Sequence, residues 1–234
     1  MHPLDYMLGL GAVSTPAQWF ESGCSGPRAR WTPEGLIEIE NEGAKALKLP
    51  EEVKQWRAIV DAAAAKYKLW PQFVDGVMAT ESGGKQDAHS SCCYGLMGLL
   101  PATASDQAGR KVSVNELLSD PALNVDLGAK LLSELMTKYG GNPIKTVIAY
   151  NAGSVKCGTS SKCTAPNRWN VIADCSTGGV SADYPGRAFG YSNAAAAWLG
   201  ANPLSSSASS GPGLGTLALG AFAVGGAAYL LGWI

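Results

Sequence analysis

The chain has 234 residues, enough for one sizeable core with appendages, and a formal net charge of −1. Only 16% of its residues are charged and 46% are hydrophobic, so no basic surface points to nucleic acid. No Asp, Glu, Lys or Arg follows Arg187, which sets a charged body apart from an uncharged tail.

Residues 1–50 read as an N-terminal extension of unknown role. Met7–Val13 is apolar, but it is short, follows Asp5 and lacks a basic flank, so it is not read as a secretory signal. Pro16, Gly23, Gly26, Pro27 and Pro33 break the segment up. Thr32 is expected to cap a short helix over 32–49, with Pro33 in its first turn.

From 51 to 200 the pattern is one helix after another. Trp56, Ile59, Val60, Ala63 and Tyr67 make an apolar stripe at helical spacing. Pro71 opens the next helix, where its missing N–H costs nothing. Phe73, Val74, Val77 and Met78 recur on one face, and Glu81 is the next position on that stripe before Gly83 and Gly84 stop it. A carboxyl group is thereby expected half in apolar surroundings. Burial raises a carboxyl pKa, as a general acid near neutral pH requires. Ser113 and Glu116 form a capping box. Pro121 starts a helix whose Val125, Gly128, Leu132, Leu135, Met136 and Tyr139 share a face, closed by Gly140 and Gly141. Asn142 and Pro143 start another, ended by Gly153. Only Gly95–Leu100 lacks helical character.

Three blocks then stand in order: Glu81-Ser82-Gly83 with Ser90, Gly95-Leu96-Met97 and Pro101-Ala102-Thr103-Ala104; Tyr139-Gly140-Gly141-Asn142; and Ala149-Tyr150-Asn151-Ala152-Gly153. Together they resemble the soluble lytic transglycosylases with a goose-type-lysozyme-like catalytic domain. The resemblance implies a mainly α, lysozyme-like fold in which the loop around Gly95–Leu100 makes a small irregular β element along a substrate groove. It also implies cleavage of the bond between N-acetylmuramic acid and N-acetylglucosamine in peptidoglycan glycan strands, with no cofactor and no metal. Most glycosidases use two carboxylates, whereas the family needs only the one that matches Glu81. It protonates the leaving oxygen, the substrate's 2-acetamido group assists, and the sugar's own 6-hydroxyl then attacks to leave a 1,6-anhydromuramyl end.

Carried over residue by residue, Ser90 and Tyr150 match family positions at the sugar or the catalytic carboxyl group. Asn151 holds its loop, and Met97 lines the groove or packs beneath it. Tyr191 matches a tyrosine on the family's last helix, with Asp183 and Tyr184 as alternatives in that region. Two positions depart from the pattern: Gly98 stands where the family has Gln, and Arg187 where it often has an acid. A lysozyme-type muramidase, or a protein that only holds glycan, are the rival readings.

Six cysteines, at 24, 92, 93, 157, 163 and 175, suggest a disulfide framework, for which 15 full connectivities exist. Their spacings do not suit a structural zinc site. Cys157 paired with Cys163 staples its own loop, and Cys92 or Cys93 paired with Cys175 braces the groove. Such bridges fit an oxidising periplasm or a virion. Residues 201–212 have linker composition. Residues 213–234 are uncharged and mostly apolar, long enough to span a bilayer as a helix, although six are glycine. A lipid membrane is thus an expected partner, with action in the cell envelope. Delivery by a phage particle, with phage structural proteins as further partners, or anchoring in a bacterial membrane are the two routes that fit.

Overall fold

A computed structural model describes residues 18–158, 167–172 and 183–201. The chain divides into a unit ending at Asn202 and a second one, Pro203–Ile234. The linker at 202–212 and the apolar span 213–234 both lie outside the described residues, as do Cys163 and Cys175. Among the described residues no helix is long and apolar enough to cross a membrane.

Among the described residues the structure is mainly helical with one small two-stranded sheet. That sheet replaces part of the short helix expected at 32–49. Strands β1 (Ala29–Trp31) and β2 (Ile37–Ile39) pair antiparallel, with Trp31 opposite Ile37. The physical reason is alternation. Ala29, Trp31, Ile37 and Ile39 are buried while Arg30 and Glu38 between them stay half-exposed and pair at 2.6 Å, a period of two that only a strand serves. Thr32 does accept an N–H at 3.2 Å, from Leu36, but it closes the hairpin turn instead of capping a helix. Residues 29–47 are built into the same core as the helices. Trp31 meets Phe73 edge-on at 5.3 Å, and Asn193 brackets Ile37 with bonds of 2.8 Å to its N–H and its carbonyl.

Eight helices follow among the described residues. They are α1 (Glu51–Lys54), α2 (Arg57–Tyr67), α3 (Pro71–Glu81), α4 (Pro101–Ala108), α5 (Val114–Ser119), α6 (Pro121–Lys138), α7 (Pro143–Ala152) and α8 (Tyr184–Ala201). Proline occupies the first turn of α3, α4, α6 and α7. Asp120 and Asn142 cap α6 and α7, accepting the N–H groups of Leu123 and Lys145, and the Ser113–Glu116 capping box is complete. The centre is α3, in which every residue from Gln72 to Ala79 is buried. It lies against α8 so closely that a Cβ added at Gly76 would stand 2.5 Å from the Ala188 carbonyl oxygen. Helix α6 packs between α2 and α7. The last residue of α3 is thus held from below by a wholly packed helix, which fixes where Glu81 can point.

Candidate active site

Glu81 closes α3 half-buried. The Tyr184 hydroxyl, at the start of α8, donates to Glu81 Oε1 at 2.5 Å. Oε2 lies over Gly98, 2.5 Å from where a Cβ there would stand. Gly98 has φ +59, a conformation costly to residues with a side chain. Glycine therefore serves the loop twice, by turning the backbone and by leaving the carboxylate room.

The loop between α3 and α4 is the irregular β element expected there, made of bridges between His89 and Tyr94 and between Tyr94 and Leu99. Buried and half-buried polar side chains fix it. Asn124, fully buried on α6, accepts the Met97 N–H at 2.8 Å and donates to the Tyr94 and Leu117 carbonyls at 3.0 and 3.1 Å. Ser82 donates to the Leu96 carbonyl at 2.8 Å and accepts the Gly84 N–H at 3.1 Å. Tyr150, on α7, donates to the Met97 carbonyl at 2.8 Å. Burial first, and then the negative charge of Glu81, hold the Tyr150 hydroxyl well above its ordinary pKa, so it stays a donor.

The residues expected at the site divide accordingly. Tyr150 stands close enough to Glu81 to feel its charge, but its hydroxyl is committed to the backbone beneath the carboxylate. Met97 has no exposed surface and packs under the loop against Gly128. The Ser90 hydroxyl is exposed and accepts the N–H groups of Cys92 and Cys93 at 3.3 and 3.2 Å. Asn151 lies in the last turn of α7, half-buried. Tyr191 packs half-buried against the core, two turns along α8 from Tyr184, the tyrosine that meets Glu81.

Asp183 is committed elsewhere. It caps α8 by accepting the Gly186 N–H at 2.9 Å, takes the Trp169 indole N–H at 2.6 Å and pairs with Arg168 at 2.7 Å. Arg187 stacks over the Tyr184 ring at 5.9 Å. Asn124 is the residue sequence reasoning missed. Its only signal was an amide set directly beside Val125 in an otherwise apolar stripe.

The cysteine expectations are corrected. Cys157 pairs with Cys24, not Cys163, and Cys92 and Cys93 are free thiols. The partner of Cys157 is chosen by the fold. The strand-like segment around Cys157 bridges to Val171, and its sulfur lies against the turn at Gly23.

Residues 58–166 match the family described as Transglycosylase SLT domain. Over 101 residues the chain is 38% identical to the transglycosylase of Enterobacteria phage PRD1, a stretch that is 43% of this chain and 36% of that protein. It is 31% identical over 105 residues to membrane-bound lytic murein transglycosylase E of Buchnera aphidicola, covering 42% of this chain and 47% of that one. Among solved structures, lytic transglycosylase Slt of Pseudomonas aeruginosa shares 31% identity, with a TM-score of 0.38 over 42% of this chain and 16% of that chain. The matched stretch thus spans less than half the length of either curated relative.

Proposed function

We propose that this chain, whose residues 58–166 match the family described as Transglycosylase SLT domain, is a peptidoglycan lytic transglycosylase with Glu81 as its acid and base. The observation that carries the reading is the two-sided setting of the Glu81 carboxyl group. Oε1 accepts from Tyr184, and Oε2 lies over Gly98, where the missing side chain gives a glycosidic oxygen room to approach the carboxyl group.

In the forward step Oε2–H protonates the glycosidic oxygen between N-acetylmuramic acid and N-acetylglucosamine. Positive charge develops at the anomeric carbon, and the substrate's 2-acetamido oxygen stabilises it, a variant that dispenses with a second protein carboxylate. Glu81, now ionised and held in place by Tyr184, takes the proton of the 6-hydroxyl as that oxygen closes on the anomeric carbon. The products are a free N-acetylglucosamine end and a 1,6-anhydromuramyl end, and no water is consumed. Tyr150, Ser82 and Asn124 act one step back by fixing the Met97–Gly98 backbone under the carboxylate. Ser90, Asn151 and Tyr191 are proposed to line the sugar path. The phage relative supports delivery of the enzyme to the wall by a virus particle, and the apolar span 213–234 is proposed to insert into the envelope membrane.

Digestion of purified peptidoglycan followed by mass spectrometry of the muropeptides tests the chemistry. Anhydromuramyl ends are expected, and reducing ends formed with water uptake would make the protein a muramidase instead. Glu81→Gln, which keeps the shape and removes the exchangeable proton, is expected to lower turnover about a thousandfold while leaving the circular dichroism spectrum and melting midpoint nearly unchanged. Undiminished cleavage by that variant would remove Glu81 from the mechanism.

A further inference from the structure

Cys92 and Cys93 are adjacent in the loop beside Glu81, and their sulfurs lie 2.7 Å apart, closer than unbonded sulfurs ordinarily pack. Cys92 is exposed and Cys93 half-buried. The turn that presents them is fastened to Ser90: its N–H donates to the Cys93 carbonyl at 2.9 Å, and its hydroxyl accepts both cysteine N–H groups. Neither sulfur has a role in the proposed cleavage reaction.

We infer that Cys92 and Cys93 form a thiol–disulfide exchange site for small soluble disulfides, closing into a vicinal disulfide that slows cleavage at Glu81. The first half stands on the sulfur geometry alone, and the second rests on the proposed transglycosylase activity.

The two thiols have unequal parts. Cys92 is held below its ordinary pKa, first by the hydrogen bond from Cys93 and then by Ser90. Burial first, then Cys92, pushes Cys93 up to about 12. The exposed Cys92 thiolate is the group that attacks one sulfur of the incoming disulfide, forming a mixed disulfide and releasing one thiolate, which takes up a proton. Cys93 then yields its proton to solvent and attacks Cys92 Sγ, expelling the second thiol. Two electrons and two protons leave the cysteine pair, and one small disulfide becomes two thiols.

The resulting bond is readily reversed. Neighbouring Cα atoms sit about 3.8 Å apart, short of the usual disulfide range of roughly 4.4–6.8 Å, and such geometry favours reduction. Ring closure also twists the Cys92–Cys93 peptide and with it the Cys93 N–H bound to Ser90. The Glu81 carboxylate is near enough to raise both thiols, so the distortion falls within reach of the proposed catalytic group.

The test uses the full chain incubated with oxidised glutathione, alkylated with iodoacetamide and cut with trypsin. The peptide Gln86–Arg110 contains only these two cysteines. It is expected unalkylated and lighter by two hydrogens, and cleavage of peptidoglycan is expected to fall several-fold and recover on mild reduction. A C92S/C93S variant taken through the same cycle should keep its rate, which separates this pair from Cys24–Cys157. A doubly alkylated peptide, stable glutathione adducts, or a cross-link to a peptide carrying Cys163 or Cys175 would overturn the site. A closed ring with unchanged cleavage would overturn its coupling to Glu81. Absence of any cleavage by untreated protein would count against the transglycosylase reading, and the peptide mass would still decide the site.

Discussion

Tyr184 carries the sharpest consequence at the level of single residues. Its hydroxyl donates to Glu81 Oε1, and a hydrogen bond to a carboxylate favours the ionised form. Tyr184→Phe removes that donor but keeps the ring against the core. The alkaline limb of the pH–rate profile is therefore expected to move upward, with turnover reduced about tenfold and stability by about 1 kcal/mol. An unshifted profile would reduce Tyr184 to a packing residue. The sequence reached this neighbourhood without resolving it. Tyr184 and Tyr191 are seven residues apart, hence on nearly the same face of α8, and helical spacing alone does not choose between them. The choice is made by where α8 crosses α3 at Gly76. Glu81 itself was legible because the apolar stripe of α3 ends on it. Gly98 was legible as a departure from the family pattern, but the contact that explains it joins positions 81 and 98 through a turn that no periodicity describes.

Helix α3 holds a second acid, Asp75, 2% exposed and 3.2 Å from Arg57. Burial pushes it up to about 7, against the attraction of the guanidinium, which also bridges Asp61. The folded protein therefore binds a proton at Asp75 that the unfolded chain has released above its ordinary value of 3.8. Stability contributed by this group is fullest below about 4 and is lost as pH rises through about 7, at up to about 1.4 kcal/mol per pH unit. Urea denaturation at pH 5 and pH 8 is expected to show that loss in the wild type and much less of it in Asp75→Asn. Equal losses in both proteins would place the pH dependence elsewhere. The helices as elements were the most readable part of the chain, because proline starts and apolar stripes are local signals. The β1–β2 hairpin was not, since Thr32-Pro33 also suits a helix start. What decides for strands is burial of Trp31 against Phe73, a partner forty-two positions away.

The apolar span 213–234 gives the molecule as a whole its remaining testable property. Burying such a span in lipid contributes about 25 cal/mol per Å² of apolar surface, provided that the helix satisfies its own backbone. Full-length protein is expected to float with liposomes in a density gradient and a chain ending at Ser210 to stay below, with equal glycan cleavage by both. Identical partitioning would make the span a docking segment for other proteins. The body that carries it is closed by one long covalent loop. The Cys24–Cys157 bridge joins positions 133 residues apart, and everything from the hairpin to α7, Glu81 included, lies between them. A protease that nicks any surface turn inside this ring leaves both pieces tethered. The severed ends stay at the high local concentration at which native contacts reform, so damage that would scatter an open chain becomes repairable by refolding in place.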